Sequence, residues 1–281
     1  MAAQIFRYHT ALEVLPAMSS PTSTSDLDRI DRSLNSFATQ SFREQADRDY
    51  IAARLACRFE LFPQFLWSAQ QAIEKYLKAI LLYNRVKATK VKHDIMVAMS
   101  LTKSLPFAIE LSARSQSFIS HVARCGEYRY IDVPYYVVGH LLVDLDLTVW
   151  EIRRYCQVLN VVGKTLPPEE QALLTKAHAD LSRSSGEPRN KFKLPGGLLE
   201  KVLGDRKHPS RPALLWQNAI YGVRKRSIVR VKHHLHAQNP MLYLYPEMLD
   251  ELLNFVFIPS KLAKEYRDHL ASIEANPDSR P

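Results

Sequence analysis

FPQFLWSAQQAIEKYLKAILL, residues 62–82, decides how the rest of this chain is read. Phe62, Phe65, Leu66, Ala69, Ala72, Ile73, Tyr76, Leu77 and Ile80 step by threes, fours and ones, which traces one apolar stripe along a helix. Gln71, Glu74, Lys75 and Lys78 fall towards the other side. Glu74 precedes Lys78 by four residues, the favourable order for a charged pair on a helix. Pro63 suits the first turn, where its missing N–H costs nothing.

Outward from this helix, the same rhythm continues. Ala46, Tyr50, Ala53 and Cys57 lie at helical spacing before it. The polar loop NRVKATKVKHD follows it, Asp94 is placed to cap a short helix, and Pro106 opens another running towards Val122. Beyond a break at Cys125-Gly126, Val138, Leu141, Leu142, Leu145, Val149, Ile152, Cys156 and Leu159 predict a long helix from about Pro134 that presents a bundle seam. Short connections imply antiparallel neighbours, so residues 37–160 are expected to form an up-and-down helix bundle. Residues 1–36, with SSPTSTSDLDR, look like a loose leader.

Past the TLPP junction, residues 165–281 read as a basic helical region with one small β-hairpin near 228–245. Val229, Val231, His233 and Leu235 alternate with Arg230, Lys232, His234 and His236, a period-2 pattern that predicts a strand. AQNP would turn it into a second strand, MLYLY, and helices would follow Pro246 and Pro259. The whole is expected to be mainly α.

Composition is that of a globular chain, 46% apolar and 24% charged, and only 8 glycines argue against a turn-rich β fold. No stretch approaches the roughly 18 uncharged apolar residues that a membrane helix needs, and the amino terminus carries no secretory pattern. Cys57, Cys125 and Cys156 are odd in number and far apart, which predicts reduced thiols and a cytoplasmic location, with no metal site and no cofactor. The net charge of +9 is concentrated: residues 187–236 hold twelve Lys or Arg against three acids. Such asymmetry points to a polyanion such as nucleic acid, or simply to a solubilising basic surface.

Three motifs add a resemblance. AQQAIEKYLKAILL (Ala69 to Leu82) is followed by a polar loop and His93-Asp94-Ile95; AARLACRFELFPQFLWSA leads into it; Tyr128-Arg129-Tyr130 stands before the last bundle helix. On these residues, about 37–160 resembles the HEPN family (higher eukaryotes and prokaryotes nucleotide-binding). The resemblance implies a helical bundle that commonly forms a homodimer and binds nucleotide or RNA, in some branches cleaving RNA within toxin–antitoxin or antiviral systems. Cleaving members place an arginine and then a histidine four to six residues on. Metal-free RNA cleavage needs a base for the 2′-OH proton and a cation for the phosphorane charge.

Arg129 matches the arginine, but the positions that should offer histidine are Pro134, Tyr135 and Tyr136, and His140 comes too late. Looser spacings occur at Arg114/His121, Arg226/His233 and Arg230/His236, as often as chance allows; Arg114 with His121 is the candidate for a shifted pair. Arg129 and Tyr130 suit a phosphate clamp and a base stack, or a tie to Glu127 or Asp132. His140 and Asp144 stand four apart on one helix, as in a proton relay or a plain helical pair. Arg230, Lys232, His234 and His236 would project from one strand face about 6.5–7 Å apart, with Tyr243 and Tyr245 beside them for stacking; a basic face in water is the plainer account. The leading expectation is an RNA- or nucleotide-binding dimer. Its rivals are a metal-independent ribonuclease and a scaffold that holds a protein partner without nucleic acid.

Overall fold

A computed structural model of the protein describes residues 24–125, 135–161, 166–218, 220–221 and 235–276. The predicted stripe forms α3, Phe62–Tyr83, with Pro63 in its first turn. Phe65, Leu66, Ala69, Ala72, Ile73, Tyr76, Leu77 and Ile80 are fully buried. Its other side is also largely covered: Gln70 and Glu74 are buried too, because the loop after α3 folds back over them. There Lys78 Nζ donates to Glu74 at 2.6 Å and to Lys92 O at 2.6 Å, and His93 Nδ1 lies 3.4 Å from Glu74.

α3 packs most extensively against α2, Glu44–Arg58. The chain reverses between the two at Glu60, which takes a left-handed conformation at φ 59°. Upstream, a π-helical segment at Ala38–Arg43 joins α2 to α1, Thr24–Phe37. A helix thus stands where part of the loose leader was expected. Asp94 caps α4, Ile95–Leu101, accepting from Met96 N at 2.8 Å and Val97 N at 3.0 Å. α5, Ala113–Cys125, begins at Ser112, whose Oγ accepts from Ser115 N at 3.2 Å.

The second seam is divided. Tyr135–Val138 is a strand, β1, and the helix α6 runs only over Leu141–Arg153. Cys156 and Leu159 are buried beyond its end. β1 pairs antiparallel with β2, Leu235–Gln238, with Val137 opposite His236. A small two-stranded antiparallel element is therefore present, but its strands are about a hundred residues apart in sequence. Met241–Leu244, expected to be the second strand, is instead the helical turn α10, begun by Pro240. Residues 222–234, including most of the predicted first strand, lie outside the described residues.

After α7, Pro168–Ser184, the short helices α8, Leu198–Gly204, and α9, Arg211–Leu215, return to the bundle. Leu199, Val202, Ala213 and Leu214 join the same core as α2, α3, α5 and α6. The proposed division near residues 160–165 therefore does not coincide with a break in the hydrophobic core. Enclosed on several sides, every residue of α6 except Val143 is buried. A second small core, built on Leu242, Leu249, Ile258, Leu262 and Tyr266, gathers α10, α11 (Leu249–Leu252) and α12 (Ser260–Ala275). No helix among the described residues is long and apolar enough to cross a membrane.

Candidate functional site

Ser112 anchors the start of α5 to the end of α6: its N–H and Oγ both donate to Glu151 Oε2, at 2.9 and 3.2 Å. Two turns of α5 then separate Arg114 from His121, so both side chains lie along one flank of the helix. That flank faces the start of α6 and the strand β1. Between them lies an open cleft of about 490 Å³, lined by Arg114, His121, Tyr136, His140 and Asp144 among others.

Arg114 donates through Nε to Asp144 Oδ1, while its two Nη groups make no hydrogen bond among the described residues. The other carboxylate oxygen of Asp144 lies 3.4 Å from His140 Nε2. Asp144 is thus a buried pivot between two side chains that reach the cleft mouth, Arg114 at 48% exposed and His140 at 55%. Burial pushes the Asp144 carboxyl above its usual range, although Arg114 and His140 pull the other way.

His121 is buried, its ring 4.6 Å from that of Tyr136. Burial first, and then the Arg124 cation, holds its imidazole below the ordinary value, against a hydrogen bond with the Tyr136 backbone. A histidine held neutral at pH 7 can accept a proton, and a half-free guanidinium suits a phosphate oxygen. The exposed Tyr136 ring offers a flat face on which a base can stack.

The structure brings together only part of the predicted set. Arg114 and His121 share the cleft, and His140 and Asp144 join them from α6. Arg129, Tyr130, Arg230, Lys232 and His234 lie outside the described residues. His236 is on β2 but does not reach the cleft. Directly opposed residues of a pair share a sheet face, so His236 lies on the Val137 and Tyr135 side, with its ring 4.7 Å from that of Phe62. Tyr136 and Val138 project to the other face. Tyr243 packs its ring on His269 at 4.2 Å, away from any strand ladder. Tyr136 had no sequence signal as a cleft residue, because its segment reads equally well as the start of a helix.

Both cysteines whose side chains are described are free thiols, and burial raises each, Cys57 to about 11. Among the described residues no cluster of His, Cys, Asp and Glu is arranged to hold a metal ion.

The fold and its cleft define a class: a helical bundle in which two adjacent helices present arginine and histidine side chains to a shared opening. Residues 39–123 match the family model of the HEPN domain. The matched segment contains Arg114 and His121, but it stops before β1 and α6, which contribute Tyr136, His140 and Asp144. No curated protein and no solved structure matches the chain.

Proposed function

We propose that the protein binds RNA, or a nucleotide as the smallest unit of it, in the α5–α6 cleft, and that it does so as a homodimer. The observation that carries this reading is the convergence of Arg114, His121, Tyr136 and His140 on one open cleft at the edge of the HEPN domain. Arg114 supplies a guanidinium for a phosphate, Tyr136 a stacking face, and the basic residues between 187 and 236 a long-range attraction for a polyanion. A toxin–antitoxin or antiviral setting is the biological context in which such a protein would work.

The test is a titration of fluorescently labelled single-stranded RNA at increasing salt. Affinity is expected to fall steeply, because released counterions supply much of the binding free energy. Arg114→Ala is expected to weaken binding about tenfold, or about 1.4 kcal/mol. A salt-independent curve, or an Arg114→Ala protein that binds like the wild type, overturns the proposal.

One observation favours a second reading, a metal-independent ribonuclease. His121, Arg114 and His140, the last in contact with Asp144, line the same cleft, which supports a reading in which a histidine acts as base and the guanidinium stabilises the phosphorane charge. Incubation of the purified protein with RNA in EDTA decides it. Cleavage that His121→Ala abolishes supports catalysis; intact RNA with undiminished binding leaves a binding protein.

A further inference from the structure

The turn between α11 and α12 presents apolar side chains to water. Leu249 and Ile258 anchor its two ends in the small core. Phe255 N and Val256 N both donate to Leu252 O, at 3.0 and 2.9 Å, so the backbone between those anchors is held. Phe255, Val256 and Phe257 nevertheless stand 77%, 47% and 87% exposed. Single apolar residues on a surface need no explanation, but three in a row on a fixed turn form a patch of the kind that a partner covers. The turn also lies in an acidic setting. Residues 246–257 hold three acids, Glu247, Asp250 and Glu251, and no Lys or Arg.

A surface of complementary character lies on the bundle. Between α4 and α5 is an apolar groove of about 710 Å³, lined by Met96, Met99, Leu105, Phe107, Leu111 and Ile119 among others. Among the described residues that line it only Lys103 is charged, and Lys103 is exposed. Residues 85–103, which lead into α4 and through it, hold five Lys or Arg against one acid, Asp94. The methionines give the groove an adaptable wall against which an aromatic ring packs well. α5 contributes Gln116, Ile119 and Ser120 to this groove and Arg114, Ser117 and His121 to the α5–α6 cleft, so the two openings lie on different flanks of one helix.

We propose that the groove receives the Phe255–Phe257 turn of a second copy of this chain, and does so reciprocally, so that two turns and two grooves make one two-fold interface. The inference rests on the reading of the protein as a homodimer and names the surfaces that form it. Aromatic anchors entering an apolar groove supply the affinity, and acids facing a basic rim supply orientation. Area decides for reciprocity. A buried Phe removes roughly 150–250 Å² from water, so the exposed parts of two Phe and one Val amount to roughly 400 Å². One turn in one groove would cover roughly 800 Å² over both surfaces, the size of a crystal-packing contact; two would cover roughly 1,600 Å², the size of a stable interface. A one-way contact would also leave a turn and a groove uncovered at each end and propagate into a chain of copies. In the two-fold arrangement each α5–α6 cleft stays whole within one chain and open to its ligand.

The experiment is sedimentation velocity of the full-length protein over a concentration series. The wild type is expected to be a dimer. Phe255→Asp/Phe257→Asp puts charge at positions already in water, and is expected to weaken the dimer at least a hundredfold with an unchanged melting temperature. Met96→Asp, on the groove wall, is expected to weaken it at least tenfold. Lys103→Glu sets like charge against the acid-flanked turn, and a weakening of about fivefold is expected, larger at low salt than at high. Should the double variant melt earlier, Met96→Asp and Lys103→Glu decide in its place. A wild type that is monomeric overturns both the interface and the homodimer reading. A dimer that persists in the turn variant and in both groove variants overturns this interface alone and leaves the homodimer reading standing. Assemblies that keep growing with concentration would reject the two-fold arrangement.

Discussion

The two flanks of α6 treat charge in opposite ways. On the flank facing α2 and α8, Arg153 bridges Asp47 and Glu200, Tyr76 donates its hydroxyl to Asp47 at 2.6 Å, and Arg54 pairs with Asp146, which also accepts from Tyr50 at 2.7 Å. All of it is enclosed. Burial pulls the Arg153 guanidinium down, but Asp47 and Glu200 outweigh it and hold it above its usual range. On the flank facing α5, Arg114, Asp144 and His140 use similar chemistry at the mouth of an open cleft. The difference teaches which charges serve the fold. A guanidinium matched to carboxylates inside a core is committed to that core; one with free N–H groups at a cleft mouth is available to a ligand.

The contrast can be broken at its strongest point. Asp47→Ala would leave Arg153 buried beside Glu200 alone, and a loss of about 3–5 kcal/mol is expected, as for any buried pair stripped of one partner. Urea unfolding would measure it, and a loss below about 1 kcal/mol would show that the enclosed network does not hold α8 to the bundle. Next in size is Asn218→Ala. Asn218 donates to Tyr50 Oη at 3.0 Å and accepts from Ile220 N and Tyr221 N at 2.9 Å, so about 1–3 kcal/mol should be lost in the same assay.

On the open flank the expected order reverses, with binding affected more than folding. Arg114→Ala should lower RNA affinity about tenfold while changing stability by no more than about 1 kcal/mol, because its ion pair is half exposed to solvent. A smaller effect depends on pH. Since the folded protein holds His121 below its ordinary 6.5, it binds fewer protons than the unfolded chain as pH falls past that value. Stability contributed by the neutral imidazole is complete above 6.5 and declines on acidification; His121→Phe should flatten the melting temperature between pH 7 and 5.5. Glu200, held low because Arg153 outweighs the opposing effect of its burial, adds a decline of the same sign only below its ordinary 4.5. Smallest of all is His140→Asn, which should shift unfolding by less than about 0.5 kcal/mol; a larger loss would mean that the cleft mouth is part of the fold.

Much of this organisation was legible residue by residue. The stripe of α3, the Glu74–Lys78 pair and the Asp94 cap depend on neighbours within one or two helical turns, and each stands where the spacing puts it. The Arg114/His121 pair was legible as a spacing, but not as half of a cleft. Tyr135–Val138 continues the apolar rhythm of α6 and was expected to be helix; it is extended because a strand a hundred residues later offers the hydrogen bonds. Met241–Leu244 had a strand-like composition, yet no strand lies beside it, and Pro240 starts a helical turn instead. Asp47, Arg54 and Arg153 look like ordinary surface charges in sequence, since nothing local announces that Glu200, Ala213 and Trp216 will meet Arg54 and Arg153.

By itself, then, the amino-acid sequence determined the helical bundle and the HEPN-like segment within it, because a helix draws its hydrogen bonds and its apolar face from residues three and four apart. Only the tertiary structure decided which arginines are sealed against acids and which are left facing a cavity. That outcome depends on pairings between Asp47, Arg153 and Glu200, and between α5 and α6, whose separation along the chain carries no trace of their proximity in space.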